Sequence, residues 1–159
     1  MKKFICILLL VCMMIPCASA DIASDLYWEY LPFAETYGAP TYKETDISLQ
    51  SKEKNTYTAD AGSVTIVYEI TATNDIRTVI VCAKDDSCAA DFLCTCTAMI
   101  SYLGKADFTA FGLMLGSFAM VRSGSESAPC PLGSDAFTIM SSDNFKYLFM
   151  YANNDLTTN

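Results

Sequence analysis

The side chains with the most latent chemistry in this chain are its cysteines. Four of the eight lie in one stretch, at Cys82, Cys88, Cys94 and Cys96, and Cys130 stands apart from them. Cys94-Thr95-Cys96 is the tightest pair. On a helix, residues two apart sit about 200° apart around the axis. The two sulfurs then point to opposite sides and can neither bond each other nor chelate one metal. The spacing also differs from the Cys-x-x-Cys of dithiol redox proteins. Met99 and Met114 have the softness of copper(I) ligands, but methionine among apolar neighbours is core filler.

The sequence contains no histidine. That absence removes Ser-His-Asp and Cys-His catalysis, imidazole zinc sites and the ordinary switch near neutral pH. Asp85, Asp86 and Asp91 gather at one expected helix start, where capping accounts for the first two. The remaining carboxylates are scattered, and no stretch has the spacing of a calcium loop or a phosphate loop. No catalytic residue, metal site or cofactor is assigned.

The compartment is read from the N-terminus. Lys2 and Lys3 precede an apolar run from Phe4 to Ile15, and Ala18-Ser19-Ala20 forms a small-x-small cleavage site. A run of that length is short of the ~20 residues of a membrane span. Cys12 follows Val11 and Cys17 follows Pro16, neither being the small residue that a lipidation site needs. Residues 1–20 are therefore expected to be a cleaved secretory signal. Residues 21–152 form a single globular domain, and 153–159 a frayed tail. The protein is expected to be secreted or extracytoplasmic, in a periplasm or at a cell surface, with no stable membrane insertion after cleavage. The formal net charge is −8, and loss of Lys2 and Lys3 makes the remainder more negative still. Such a domain gains nothing from a phosphate backbone, so nucleic acid is not an expected partner.

Export permits disulfides. Cleavage would remove Cys6, Cys12 and Cys17 and leave an odd set, Cys82, Cys88, Cys94, Cys96 and Cys130, with at least one unpaired thiol. Cys88–Cys130 is the first expected bond and Cys82–Cys130 the second. Cys94 reaches Cys82 only with another helix orientation, and Cys96, facing the core, is the candidate buried free thiol.

The elements that must position these residues follow from periodicity. Residues 21–38 carry Ile22, Leu26, Tyr30 and Phe33 at helical spacing, with Pro32 expected to kink or restart the helix. From 44 to 84 the period is two, giving strands around 46–50, 57–59 and 64–70 and, after a turn at 73–75, a fourth that includes 77–82. Pairing of the last two is expected to set Tyr68 beside Ile80 and Ile66 beside Cys82, with Val79 and Val81 on the second face. The aromatic N-terminal helix would cover that face.

Asp85-Asp86-Ser87 opens a helix that Gly104 closes. A second helix spans 107–122. Its Gly112–Gly116–Ala119 row is expected to meet the small-residue line Ala90, Cys94, Ala98 and Ser101. Residues 123–134 are expected to be a loop, followed by strands at 136–140 and 145–151.

The fold expected is α+β: an antiparallel sheet of five to six strands with an antiparallel two-helix layer on one face, in the order helix, three or four strands, two helices, two strands. The function expected is that of a small exported, non-catalytic binding or interaction domain for a protein or small ligand outside the cytoplasm. Tyr27, Trp28, Tyr30, Tyr147, Phe149 and Tyr151 are its candidate binding aromatics. The alternatives are a structural, envelope-associated domain and a cysteine-dependent redox or metal protein.

Overall fold

The computed structural model describes residues 22–132 and 135–154, within which the side chains of 130–132 and 136 are not described. The expected signal segment, most of the tail and the Cys130 side chain lie outside it. The fold is α+β, with one seven-stranded antiparallel sheet and three α-helices among the described residues. Helix α1 covers residues 22–37. It is followed by β1 (Ile47–Ser51), β2 (Thr56–Asp60), β3 (Val64–Ile70) and β4 (Ile76–Ala83). Then come α2 (Ala89–Tyr102), α3 (Phe108–Arg122), β5 (Ser127–Leu132), β6 (Asp135–Met140) and β7 (Tyr147–Ala152). The strand order is β1-β2-β3-β4-β7-β6-β5. Two antiparallel meanders thus meet at the central β4–β7 pair, joined through the helices.

The helix limits have local causes. Asp85 accepts from the Ser87 N–H and opens a single 3-10 turn, Asp86–Cys88, that runs on into α2. Asp107 caps α3 by accepting from the Ala110 N–H at 2.6 Å. At the end of α2, Gly104 has φ +68. Its N–H bonds the Ser101 carbonyl, and the Lys105 N–H bonds Ile100, the paired closure that a left-handed glycine permits.

The sheet has one more strand than the sequence predicted. Residues 127–132, expected as loop, form the edge strand β5 against β6. Pro129 and Pro131 hid it, because proline argues against a strand. Here both occupy the same alternate positions. Glu126 accepts from the Ser141 N–H at 3.0 Å, so even-numbered residues face β6 and both imide nitrogens face the free edge. The edge therefore offers few donors to another strand.

The β3–β4 register also differs, by one residue. Tyr68 pairs with Val79 and Ile66 with Val81, while Ile80 pairs with Val67 and Cys82 with Thr65. Ile70 pairs with Ile76 although Glu69 pairs with Thr78, so Arg77 is an extra residue in β4. A bulge of this kind inverts the facing of everything beyond it. Val79 and Val81 are consequently fully buried.

The core lies between that face and the helices. From β3 and β4 it takes Ile66, Tyr68 and Val81, from β6 and β7 Ile139 and Phe149, and from α2 Phe92 and Met99. Helix α1 packs on this same face, beside α2. The Ser101 hydroxyl donates to the Tyr37 hydroxyl at 2.9 Å, and the ring of Tyr30 stacks on Tyr42 with centroids 5.4 Å apart. The small-residue seam of α2 thus receives α1, not the glycine row of α3. The expectation that α1 covers the second face is likewise overturned. That face presents Val67, Ile80, Leu148 and Met150, all only half-buried, beside a half-buried Arg77–Glu69 ion pair at 3.5 Å.

Candidate functional site

Four segments distant in sequence meet at one end of the sheet: α1, the β3–β4 turn, the link from α2 to α3, and the end of β7. They enclose a groove of about 610 Å³ lined by residues that include Glu29, Asp75, Tyr102, Lys105, Tyr151 and Asn153. The turn is held by its own side chains. The Thr73 hydroxyl donates to the Asp75 carboxylate at 2.7 Å, and the Asp75 N–H donates to the Thr71 hydroxyl at 3.1 Å. Asn74 adopts φ 66, the left-handed conformation that Asn tolerates better than most side chains. The opposite wall is fixed by the glycine closure of α2, which projects Lys105.

Two polar pairs define the lining. The Tyr102 hydroxyl donates to Glu29 Oε2 at 2.9 Å, tying α2 to α1. Burial, then this bond to a carboxylate, holds the Tyr102 phenol well above its ordinary range, so Tyr102 is a donor throughout neutral pH. In the second pair, Lys105 Nζ forms an ion pair with Asp135, whose side chain is 2% exposed. The Tyr151 hydroxyl donates to the same carboxylate at 3.2 Å. The lysine is thereby committed to an internal anion, while Glu29 and Asp75 set the sign of the rim. A smaller annex of about 90 Å³ adjoins, with Leu26, Ile70 and Ile76 as its apolar lining.

The groove contains an amine, phenols, amides and carboxylates but no thiol among its lining residues. Its geometry suits hydrogen bonding to a cationic or amino-bearing group.

The cysteines lie elsewhere. Cys82, Cys88, Cys94 and Cys96 are all free thiols. Cys96 is fully buried, and burial pushes its thiol far above the usual range. Cys82, on the bare sheet face, is 7% exposed and burial pushes it up to about 11. Cys88 and Cys94 are half-buried.

The Cys130 side chain is outside the described residues, but its backbone is placed, opposite Phe137 in β5. Cys82 lies in β4, three strand spacings away, or ~14 Å laterally, beyond the ~7 Å between Cα atoms that a disulfide spans. That rules out Cys82–Cys130 in this sheet. Cys88 lies just beyond the Ala83 end of β4. Cys130 pairs through Phe137 to Tyr151, toward the far end of β7, so the first expected bond also spans opposite ends. β5 carries Cys130 away from the start of α2. Among the described residues no three His, Cys, Asp or Glu side chains form a group able to hold a metal.

Most of the candidate binding aromatics are core. Tyr30, Tyr147, Phe149 and Tyr151 are between 0% and 3% exposed. Tyr147 packs on Phe118 with centroids 4.8 Å apart and donates to Asp86 at the far end of the sheet. Tyr27 is half-buried against Trp28, and Trp28 alone of the six is well exposed, at 61%. Of these, only Tyr151 touches the groove. Glu29, Tyr102, Lys105 and Asp135 had no motif to announce them, although a cation directly after a helix-closing glycine was a signal for Lys105.

A second surface stands out on α3. Its side away from the sheet exposes Phe108, Leu115 and Met120. Among the described residues, no helix is long and apolar enough to cross a membrane.

Compared with known protein families, curated proteins and solved structures, the chain matches none of them.

Proposed function

We propose that this chain is a small exported, non-catalytic binding domain, acting outside the cytoplasm, whose site is the groove at the Lys105 end of the sheet. The observation that carries this is the pairing of Tyr102 with Glu29 on the groove wall. A carboxylate held in place by a neighbouring phenol presents its remaining lone pairs in a fixed direction, as a recognition group must. With Lys105 committed to Asp135, the net character of the rim comes from Glu29 and Asp75. The ligand class is therefore cationic: a polyamine, an amino sugar or a basic peptide segment.

The absence of histidine and of a thiol among the lining residues supports binding over catalysis. Calorimetric titration with spermidine and with a lysine-rich peptide tests this. The native chain is expected to bind at least one of them with unit stoichiometry. Glu29→Gln is expected to weaken that binding about tenfold or more, the worth of a charged hydrogen bond. Binding that is equally strong in Glu29→Gln removes the groove from the proposal.

The apolar side of α3 favours a second role in assembly, which accords with an envelope-associated structural domain.

A further inference from the structure

The geometry of α3 points to a second copy of this chain as a binding partner, docked antiparallel, helix against helix. Helix α3 is apolar on every side. Ala110, Met114, Phe118 and Val121 are buried against the sheet and α2. On the other side Phe108 is 94% exposed, Leu115 52% and Met120 53%. With Gly112, Gly116 and Ala119, also exposed, these residues recur at spacings of three and four and form one continuous stripe. A helix apolar all round is ordinarily buried all round.

The glycines sharpen this. Each costs about 1 kcal/mol of helix stability relative to alanine. A Cβ built at Gly112 or Gly116 would meet nothing within 4 Å, so packing within this chain does not require glycine at either position. Two bare positions one turn apart in an apolar stripe let a second backbone come close, with Phe108 and Met120 as ridges on either side.

Charge identifies the occupant. The chain is strongly acidic, with a formal net charge of −8, so most contacts between two copies bring like charges together. The stripe carries no charge. Asp107 stands at its N-terminal end and Arg122 at its C-terminal end. In an antiparallel pair centred near Leu115, Asp107 of each copy lies toward Arg122 of the other. Phe108 falls opposite Met120, and Gly112 opposite Gly116. A parallel pair would instead juxtapose the two Asp107 side chains and the two Arg122 side chains. The antiparallel arrangement is self-complementary, as a two-fold interface must be, and it opposes the helix dipoles favourably. A helix of this length spans ~22 Å. The contact therefore lies at the small end of specific interfaces, and the pair is expected to separate reversibly on dilution.

Sedimentation velocity on the full chain, expressed with its own N-terminal segment and purified, tests this over a range of concentrations. The native chain is expected to shift from monomer to dimer as concentration rises. Gly116→Leu is expected to remain monomeric while melting no lower than the native chain, since a Cβ at this exposed position meets nothing within 4 Å and leucine favours the helix over glycine. Leu115→Cys, near the two-fold axis, is expected to give a disulfide-linked dimer under mild oxidation, and Phe108→Cys is not. A monomer at all concentrations overturns the proposal, as does undiminished dimerisation of Gly116→Leu. So does cross-linking through Phe108→Cys as well as through Leu115→Cys, which would mean a parallel pair. A monomer that co-sediments with phosphatidylcholine vesicles also overturns it, by assigning the stripe to lipid.

Discussion

The hydroxyls of Tyr42 and Tyr68 lie 2.9 Å apart and share a hydrogen bond inside the core, fastening the segment after α1 to the middle of β3. Tyr42 also donates toward the Leu26 carbonyl of α1 at 3.3 Å. Tyr30, stacked on the same ring, has no such bond. Its hydroxyl is buried with no partner in hydrogen-bonding geometry, while the nearby Thr95 hydroxyl donates to the Asp91 carbonyl at 2.7 Å. Three buried phenols thus differ in what removing one oxygen does. Tyr68→Phe is expected to destabilise the chain by about 0.5–1.5 kcal/mol, the net worth of the lost hydrogen bond, since Tyr42 keeps its bond to Leu26. Tyr30→Phe is expected to be neutral or stabilising. Urea unfolding of the two variants checks the contrast, and equal losses would contradict it.

High pH should unfold the protein through the same residues. Burial holds the phenols of Tyr30, Tyr42, Tyr68 and Tyr102 above their ordinary range. Tyr147 is pushed up to about 12 by burial and then by its bond to Asp86. An unfolded chain releases these protons near pH 10. Between that value and the folded pKa, the unfolded state binds fewer protons than the native one, so stability falls as pH rises. Their contribution is complete below about pH 10 and is lost as pH climbs through about 12 for Tyr147 and beyond for the others. Phenolate absorbance is expected to rise together with the loss of circular dichroism. Full ionisation of all nine tyrosines in a still-folded chain would contradict this.

Asp135 is the carboxylate whose isolation should be most damaging. Lys105→Met removes its cation and leaves the Tyr151 hydroxyl as its described donor. Breaking a fully buried pair costs ~3–5 kcal/mol. The loss here is expected to fall below that range, since the Lys105 side chain is 38% exposed. The double variant Lys105→Met, Asp135→Leu is expected to recover part of the loss, read as the denaturation midpoint.

Thiol labelling followed by site-resolved mass spectrometry should rank the cysteines. Cys88 and Cys94, half-buried, are expected to react first. Cys82 should lag, since its thiol is pushed up to about 11 and the thiolate is the reacting form. Cys96, fully buried, should react only on unfolding. Early labelling of Cys96 would contradict the packing of α2.

Much of the architecture was legible because local chemistry marks it. The limits of α2 and α3 were written in Asp85, Asp107 and Gly104, and β3 was recovered residue for residue from its alternation. The failures have equally local causes. One extra residue at Arg77 turned Val79 and Val81 inward, and no pattern of polarity distinguishes a bulged strand from a slipped one. Two prolines disguised an edge strand. Gly112 and Gly116, expected against the small-residue line of α2, have nothing within 4 Å of an added Cβ, because spacing alone does not say which side of α3 faces inward.

The groove was the least legible feature. Glu29 and Tyr102 are 73 positions apart, and neither sits in a motif, so only the folded chain brings them together. The candidate aromatics failed for a related reason. Alternation shows which residues share a face in β7, but not which face the helices cover.

On the function proposed, the groove between Glu29 and Lys105 recognises a cationic ligand. Amide chemical-shift mapping of the isotopically labelled chain during titration with spermidine tests it most directly. The expected result is a saturable set of shifts confined to the groove lining, among them Glu29, Asp75, Tyr102, Lys105 and Asn153, and lost in Glu29→Gln. Shifts spread over acidic positions remote from the groove, such as Asp60, Asp85 and Glu126, or no saturable shift at all, would contradict it.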